Sequence, residues 1–206
     1  MNVQRLNSLR HWIFDMDGTL TVPSHDFPYM RRQLGMAEGD LDILAYVARH
    51  NEAEAAQMNQ WLWDYEVDLA ENAEPATGAA DLVQHLHEQE RKLAILTRND
   101  KKLALITLQA IGLLHYFDES VILGRDEAAP KPHPAGIDHI LQHWQATSDD
   151  AIMVGDYEYD LSAGRSAGVH TLLVHPKANH WPELSDYYFE HCGGVLSSMV
   201  QGVEIK

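Results

Sequence analysis

Two aspartates stand at the end of an apolar segment near the start of the chain. The stretch HWIFDMDGTLT (residues 11–21) runs from bulky apolar residues into Asp15 and Asp17 and then into a glycine. Ionised carboxylates are costly to remove from water, and they repel each other at close range. The pair therefore either ends a strand in a solvated turn or belongs to a site that holds a ligand.

Three more segments carry reactive side chains after an apolar run. They are KLAILTRN (92–99), AAPKPHP (128–134) and AIMVGDYEYD (151–160), and the reactive residues in them are Thr97, Arg98, Lys131, Asp156 and Asp160. In open parallel sheets, ligands bind outside the carboxyl ends of the strands. If the runs are strands, these side chains and the two aspartates lie at one edge of one sheet, which predicts a single site.

Short apolar runs alternate with helical patterns along most of the chain. Near-continuous apolar runs indicate strands that are covered on both faces of a parallel sheet. The helical stretch 134–144 begins with proline, and the stretches 100–112 and 160–168 end in glycine, as helix boundaries often do. This alternation predicts an α/β fold built on an open parallel sheet with right-handed crossovers. The runs predicted as strands are 11–14, 92–97, 120–123, 151–155 and 170–175.

One segment interrupts the alternation. Between about residues 22 and 74 the sequence contains helical patterns and no strand-like run, and glycines and prolines punctuate it. We interpret residues 21–75 as a small helical domain inserted after the first strand. Residues 1–20 and 76–206 then form the α/β core domain.

Composition narrows the classes of function. The formal net charge of −16 over 206 residues disfavours binding to nucleic acid or to an anionic membrane surface. No apolar run is long enough to span a bilayer, and the first ten residues lack the apolar stretch of a secretory signal. With one cysteine, Cys192, no intrachain disulfide can form, so we expect a cytoplasmic protein. The negative charge of the chain would also repel an anionic ligand, so a site for an anion needs its own local cations.

The four segments at the predicted strand ends also resemble a known set of motifs. FDMDGTLT, ILTRND, KPHP and GDYEYD, in that order and spacing, resemble the four motifs of the haloacid dehalogenase-like hydrolase superfamily. Residues 21–75 resemble the small helical cap of its phosphoglycolate phosphatase-like and β-phosphoglucomutase-like branch. The resemblance implies a Rossmann-like core and a phosphoric monoester hydrolase, a phosphatase that acts on a small phosphorylated metabolite. The sequence does not indicate an oligomeric state.

The resemblance implies a role for each residue at the strand ends. Asp15 is the nucleophile that attacks phosphorus to give an aspartyl-phosphate, and Asp17 is the general acid and then the general base. Dehalogenases of the superfamily lack an aspartate at the second position, so Asp17 favours a phosphate ester as substrate. Gly18 lets the backbone turn sharply toward the phosphate, Thr97 binds a phosphate oxygen through its hydroxyl, and Lys131 binds another as a point charge.

Four carboxylates near one point require a counterion. Oxygen ligands of this kind suit Mg²⁺, which keeps several waters and needs few carboxylates. The resemblance implies Asp15, the backbone carbonyl of Asp17 and Asp156 as the ligands. Asp160 either binds the ion through a water or orients Lys131. The ion and the lysine are the local cations that the net charge of the chain requires.

Some residues leave alternatives open. Arg98 stands where many relatives have asparagine, so it either contacts the substrate or points away while Asn99 caps the following helix. His139 and His143 have the i, i+4 spacing of a zinc site, but no third ligand accompanies them, and we expect them at the surface. His25 lies where the chain enters the helical segment, in a position from which it can face the site.

Two other functions are compatible with the motifs. A β-phosphoglucomutase must retain its sugar through two phosphoryl transfers and exclude water between them, and residues 21–75 show no signature that requires this. A non-catalytic binding protein on the same fold is expected to lack one of four key residues, whereas Asp15, Asp17, Lys131 and Asp156 are all present. Hydrolysis is therefore the predicted reaction, with Mg²⁺ as the cofactor.

Overall fold

The computed structural model describes residues 3–201, and the centre of this region is a single sheet. All neighbouring strands run parallel, in the order β3-β2-β1-β4-β5-β6. The strands are β1 (His11–Phe14), β2 (Lys92–Leu96), β3 (Ile122–Leu123), β4 (Ala151–Gly155), β5 (His170–Val174) and β6 (Tyr187–Phe189). The predicted α/β fold with an open parallel sheet is confirmed.

Helices cover both faces of the sheet. Within residues 3–201 they are α1 (Val3–Ser8), α2 (Phe27–Gln33), α3 (Ile43–Val47), α4 (Glu52–Glu71), α5 (Ala79–Glu88), α6 (Lys101–Ala110), α7 (Ala135–Trp144), α8 (Glu158–Ala167) and α9 (Cys192–Gln201). Trp12 and Phe14 of β1 are buried against α1, α5, α6 and α9, and Ile13 is buried on the other face with α7 and α8. None of the described helices has the length and hydropathy needed to span a bilayer.

The strand β1 lies in the middle of the sheet, between β2 and β4. Phe14, its last residue, is in register with Ile95 of β2 and with Val154 of β4. The Asp15 N–H extends this pairing by donating to the Val154 carbonyl at 2.9 Å. The three strands therefore end nearly level, and the residues that follow them meet at one edge.

Two strands differ from the prediction. β3 spans two residues rather than 120–123, because Glu119–Val121 form a 3₁₀ turn in which the Asp118 carboxylate accepts the Ser120 N–H at 2.9 Å. β6 is absent from the prediction, because three residues are too few to show a strand pattern. The other four predicted strands agree with the structure to within one residue at each end.

Residues 22–74, called the helical segment below, connect β1 to the rest of the core and contain α2, α3 and α4. The segment has its own small hydrophobic cluster, formed by Met30, Leu34, Val47 and Leu62. Its two ends lie side by side, since the Val22 N–H donates to the Glu74 carbonyl at 2.9 Å. The predicted domain boundaries, after residue 20 and after residue 75, fall next to this hydrogen bond and stay a prediction.

Candidate active site

Lys131 lies between two buried aspartates at the carboxyl edge of the sheet. Its Nζ is 2.6 Å from Asp15 Oδ1 and 2.7 Å from Asp160 Oδ1, and its side chain is 1% exposed. The segments that follow β1, β3 and β4 bring these residues together from distant parts of the chain. Burial acts to lower the pKa of Lys131, but the charges of the two aspartates outweigh it and raise that pKa above its ordinary value. The lysine is therefore a permanent cation.

Asp156 joins Asp15 and Asp160 in a group of three carboxylates, here called the carboxylate cluster. One oxygen of each lies within 4.8 Å of the others, and no second group of three His, Cys, Asp or Glu side chains within residues 3–201 is close enough to hold a metal ion. Burial raises the pKa of both Asp15 and Asp156, and neighbouring carboxylates raise it further against the opposing charge of Lys131. When ionised, the three carboxylates carry more negative charge than one lysine neutralises, and their oxygen donors fit a hard divalent cation such as Mg²⁺.

Gly18 makes room for one member of the carboxylate cluster. Its φ is +90°, a left-handed conformation that favours glycine, and a Cβ at this position would lie 2.4 Å from Asp156 Oδ2. A side chain here would displace that carboxylate as well as strain the turn. The predicted role of Gly18, close approach of the backbone to a phosphate, stays a prediction beside this packing role.

Asp17 lines the same cavity as the carboxylate cluster, but its side chain is not part of that cluster. The Asp17 carboxylate is 29% exposed, and its Oδ1 lies 3.7 Å from Nδ1 of His25. The His25 ring is stacked on Phe27, with ring centroids 5.5 Å apart. The second aspartate of the first motif is thus reachable from the cavity, and His25 faces the site, as its position in the sequence allows.

The residues after β2 form a tight turn with a hydroxyl at the cavity. Thr97 is buried and lines the cavity, and its Oγ1 accepts the Asn99 N–H at 3.0 Å. A hydroxyl that accepts one hydrogen bond still has a proton to donate, so Thr97 can bind an oxygen of a ligand. Asp100 caps α6, because its carboxylate accepts the Lys102 N–H at 2.7 Å. The alternative in which Asn99 caps this helix is therefore wrong.

Arg98 lines the cavity and binds the helical segment. It donates to Asp42 Oδ1 at 2.7 Å, and its guanidinium lies 4.6 Å from the centroid of the Tyr159 ring. Asp42 also accepts the Ala45 N–H at the start of α3. Burial acts to raise the pKa of Asp42, but the hydrogen bonds from Arg98 and from the α3 backbone, together with the charge of Arg98, outweigh it and lower that pKa. Arg98 thus faces the site, with part of its hydrogen-bonding capacity engaged by the helical segment.

Glu66 and Arg125 also line the cavity, and the sequence prediction missed both. Glu66 is 7% exposed, and its Oε2 accepts no hydrogen bond and lies 3.7 Å from an Arg125 guanidinium nitrogen. A signal for Glu66 exists in the sequence, because it lies four residues after Leu62 and four before Ala70, and residues at that spacing share one face of a helix. That spacing places the glutamate on the packed face of an otherwise acidic, solvated helix.

The buried Glu66 should make the stability of the chain depend on pH. Burial raises its pKa from 4.5 to about 7, helped by the charges of Asp17 and Asp100 and opposed by Arg125. The folded chain then holds a proton that the unfolded chain releases, so stability falls as pH rises from about 4.5 to about 7. Relative to Glu66→Gln, we expect the free energy of unfolding of the wild type to fall by about 3 kcal/mol across this pH range. Urea unfolding of both proteins along a pH series measures it, and a difference that is constant with pH would contradict it.

These side chains share one cavity of about 480 Å³ between the core and the helical segment. The strand-end residues line it on the core side, and apolar residues such as Met30 and Leu62 line it on the other. Phe27 and Leu41 also line it and are 50% and 65% exposed, so they belong to its mouth. The volume is in the range of sites for small molecules.

The histidines at helical spacing lie away from this cavity. His139 and His143 of α7 are exposed, and His143 Nε2 lies 3.3 Å from the Ser120 hydroxyl oxygen. The metal-compatible group found in the described part of the chain contains carboxylates only. The expectation that this pair is a surface feature is confirmed.

Comparison with known proteins places the chain in one family. The family model described as haloacid dehalogenase-like hydrolase matches residues 36–174. An uncharacterised hydrolase of Saccharomyces cerevisiae is 30% identical over 181 residues, which cover 86% of this chain and 82% of the relative. Pyrophosphatase PpaX of Halalkalibacterium halodurans is 38% identical over 101 residues, which cover 49% of this chain and 46% of the relative.

A solved structure agrees in fold over nearly the whole chain. A predicted phosphoglycolate phosphatase of Haemophilus somnus has a TM-score of 0.73 at 20% identity, covering 92% of this chain and 97% of that chain. At this identity the likeness shows the fold alone, and the match of the family model to more than half of the chain shows the family. The chain belongs to the haloacid dehalogenase-like hydrolase family.

Proposed function

We propose that this chain is a Mg²⁺-dependent phosphatase that hydrolyses a small phosphate monoester through an aspartyl-phosphate. The observation that carries the proposal is the buried Asp15, which is paired with Lys131 and lies beside the other two members of the carboxylate cluster in one cavity. Membership of a hydrolase family and the similarity to pyrophosphatase PpaX support phosphate as the group transferred.

In the first step, an oxygen of the Asp15 carboxylate attacks phosphorus, and the bond from phosphorus to the leaving oxygen breaks. Lys131 holds Oδ1 of this carboxylate at 2.6 Å, which fixes its orientation and lowers the repulsion between it and the incoming phosphate. Asp17, which lines the same cavity, gives its proton to the leaving alcohol. The products are the free alcohol and a phosphoryl group on Asp15.

In the second step, Asp17 takes a proton from a water molecule, which attacks phosphorus and releases inorganic phosphate. This returns Asp15 to a carboxylate and Asp17 to an acid, so the two residues are ready for another cycle. Thr97 and Lys131 bind the oxygens of the phosphoryl group through their hydroxyl and ammonium donors. The charge of the lysine matters in both steps, because phosphoryl transfer spreads negative charge over these oxygens.

Asp15, the backbone carbonyl of Asp17 and Asp156 would hold the Mg²⁺ ion. When bound, it supplies positive charge that stabilises the phosphoryl oxygens in the transition state. For Asp160 we propose the other role considered from the sequence, which two contacts support: its Oδ1 contacts Lys131 at 2.7 Å, and its Oδ2 accepts the Tyr157 N–H at 3.1 Å. With both oxygens engaged, Asp160 orients the lysine.

Residues 21–75 are proposed to form the cap that covers the substrate. The cavity between the helical segment and the strand ends supports this, as do the two ion pairs that cross it, Arg98 with Asp42 and Arg125 with Glu66. The cap restricts access of water and of large substrates, so a small phosphorylated metabolite is the expected substrate class. No contact in the described residues specifically favours a mutase over a hydrolase.

Phosphate release from an aryl phosphate and a panel of small phosphate esters tests the proposed function. We expect hydrolysis that needs Mg²⁺ and stops when the metal is chelated. Hydrolysis at the same rate without a divalent cation would contradict the metal requirement, and no hydrolysis of any ester would contradict the phosphatase itself.

Mg²⁺ should also stabilise the folded chain. At a concentration of one hundred times Kd, a ligand that binds only the folded state adds about 2.7 kcal/mol, which corresponds to roughly 5–10 °C in Tm for a chain of this size. We expect this increase in the wild type and in Asp138→Asn, a control at an exposed position of α7, and its loss in Asp156→Asn. Thermal unfolding with and without Mg²⁺ measures the increase in Tm. If Asp156→Asn showed the same increase as the wild type, Asp156 would not be a ligand of the ion.

A further inference from the structure

Glu66 and Arg125 form a second polar feature of the cavity, and the proposed reaction uses neither of them. Glu66 projects from α4 of the helical segment, and Arg125 lies on the core segment between β3 and α7. Both line the cavity that contains Asp15 and Asp17, and their side chains are 8% and 12% exposed. A molecule whose phosphate is at the strand ends and whose remaining atoms fill this cavity would therefore lie beside the pair.

The contact between Glu66 and Arg125 is incomplete. The two groups are 3.7 Å apart, beyond hydrogen-bond distance, and Glu66 Oε2 accepts no hydrogen bond. A buried carboxylate oxygen without a donor costs free energy. The other ion pair across the cavity, Arg98 with Asp42, is within hydrogen-bond distance at 2.7 Å. Glu66 and Arg125 thus keep hydrogen-bonding capacity that a ligand can satisfy.

The chemistry of the pair selects the kind of ligand group. Arg125 offers only donors, and Glu66, once it is ionised above about pH 7, offers only acceptors. A hydroxyl both donates and accepts, so one hydroxyl, or two on neighbouring carbons, can satisfy both residues. A second anion would be repelled by the carboxylate, and an ammonium group would be repelled by the guanidinium. A neutral hydroxyl is the group that avoids both costs.

We propose that Glu66 and Arg125 recognise hydroxyl groups on the alcohol that leaves, so that the substrates are phosphate monoesters of polyhydroxy alcohols such as sugars and polyols. This inference rests on the proposed phosphatase function and names the substrate class within it. The cavity of about 480 Å³ has room for such a molecule. Arg31 of α2 also lines the cavity and favours a second anion instead, so anionic esters are the competing substrates.

Matched substrates test the hydroxyl preference. Glycerol phosphate and propyl phosphate have the same carbon chain, and the second lacks both free hydroxyls. We expect the wild type to show a kcat/KM for glycerol phosphate that is higher by about tenfold or more, as expected for hydrogen bonds to charged groups. Phosphoglycolate and pyrophosphate, which carry a second anionic group, should be poorer substrates than glycerol phosphate.

Substitutions assign this preference to the pair. Glu66→Leu should reduce the ratio of the two kcat/KM values to near one, and Glu66→Gln should retain part of it. The double variant Glu66→Leu with Arg125→Leu leaves no unpaired charge, so its ratio of kcat/KM values replaces that of the single variant if Glu66→Leu does not fold. Glu71→Gln, at an exposed position of the same helix, should keep the wild-type ratio.

Three results would overturn the inference. They are a wild type that hydrolyses propyl phosphate as well as glycerol phosphate, a wild type that prefers phosphoglycolate or pyrophosphate, and a Glu66→Leu variant that loses activity equally on both matched esters. The last result would assign the pair to holding the helical segment in place. In all three cases the phosphatase function stands, because hydrolysis is observed. Absence of hydrolysis of every ester would instead overturn the proposed function, and this inference with it.

Discussion

Replacing Asp15 with asparagine should lower kcat for phosphate ester hydrolysis by a factor on the order of 10⁴. An amide cannot form the aspartyl-phosphate, so the loss falls on the chemical step and not on binding alone. The fold should survive, because Lys131 keeps its contact with Asp160 at 2.7 Å. Steady-state phosphate release from an aryl phosphate in saturating Mg²⁺ measures the effect.

Asp138→Asn is the matched control, since it makes the same change at an exposed position of α7. Its kcat should equal that of the wild type, and circular dichroism should show that both variants are folded. If Asp15→Asn were folded and kept its kcat to within tenfold, Asp15 would not be the nucleophile.

Replacing Lys131 with methionine should destabilise the folded chain by about 3–5 kcal/mol, the usual effect of breaking a buried ion pair. The lysine contacts Asp15 and Asp160 at 2.6 and 2.7 Å, and its removal leaves these buried carboxylates without a counterion. Urea unfolding in the absence of divalent cations measures the loss. Lys102→Met, at an exposed position of α6, is the control and should change stability little.

A second substitution shows whether charge causes this loss. Adding Asp160→Asn to Lys131→Met removes one of the stranded carboxylates, while the asparagine oxygen can still accept the Tyr157 N–H. The double variant should therefore be more stable than Lys131→Met alone. Wild-type stability in Lys131→Met, or no recovery in the double variant, would mean that packing and not charge sets the stability of this site.

The sequence was sufficient to predict how the core positions the site. Asp15 and Lys131 are far apart in the chain, yet each follows an apolar run, and the rule that parallel strands end at one edge brings them together. The same rule applies to Asp156. These predictions depend on strand pattern and chain order, which local sequence encodes well.

The contacts between the core and the helical segment could not be predicted in this way. Arg98 pairs with Asp42, and Arg125 faces Glu66, only because α3 and α4 pack over the strand ends in one particular orientation. No local pattern records that orientation. The capping of α6 by Asp100 was missed for a different reason, since two neighbouring residues, Asn and Asp, are equally good N-caps.

The most direct measurement is a search for a phosphoryl group on Asp15 itself. In Asp17→Asn the base for the second step is missing, so the intermediate should accumulate when this variant reacts with an aryl phosphate and Mg²⁺. After an acid quench, peptide mass spectrometry should find the phosphoryl group on Asp15, and it should be absent when Asp15→Asn is added to the same variant. Mg²⁺-dependent phosphate release by the wild type, with the phosphoryl group of the quenched variant on a different residue or on none, would contradict the mechanism.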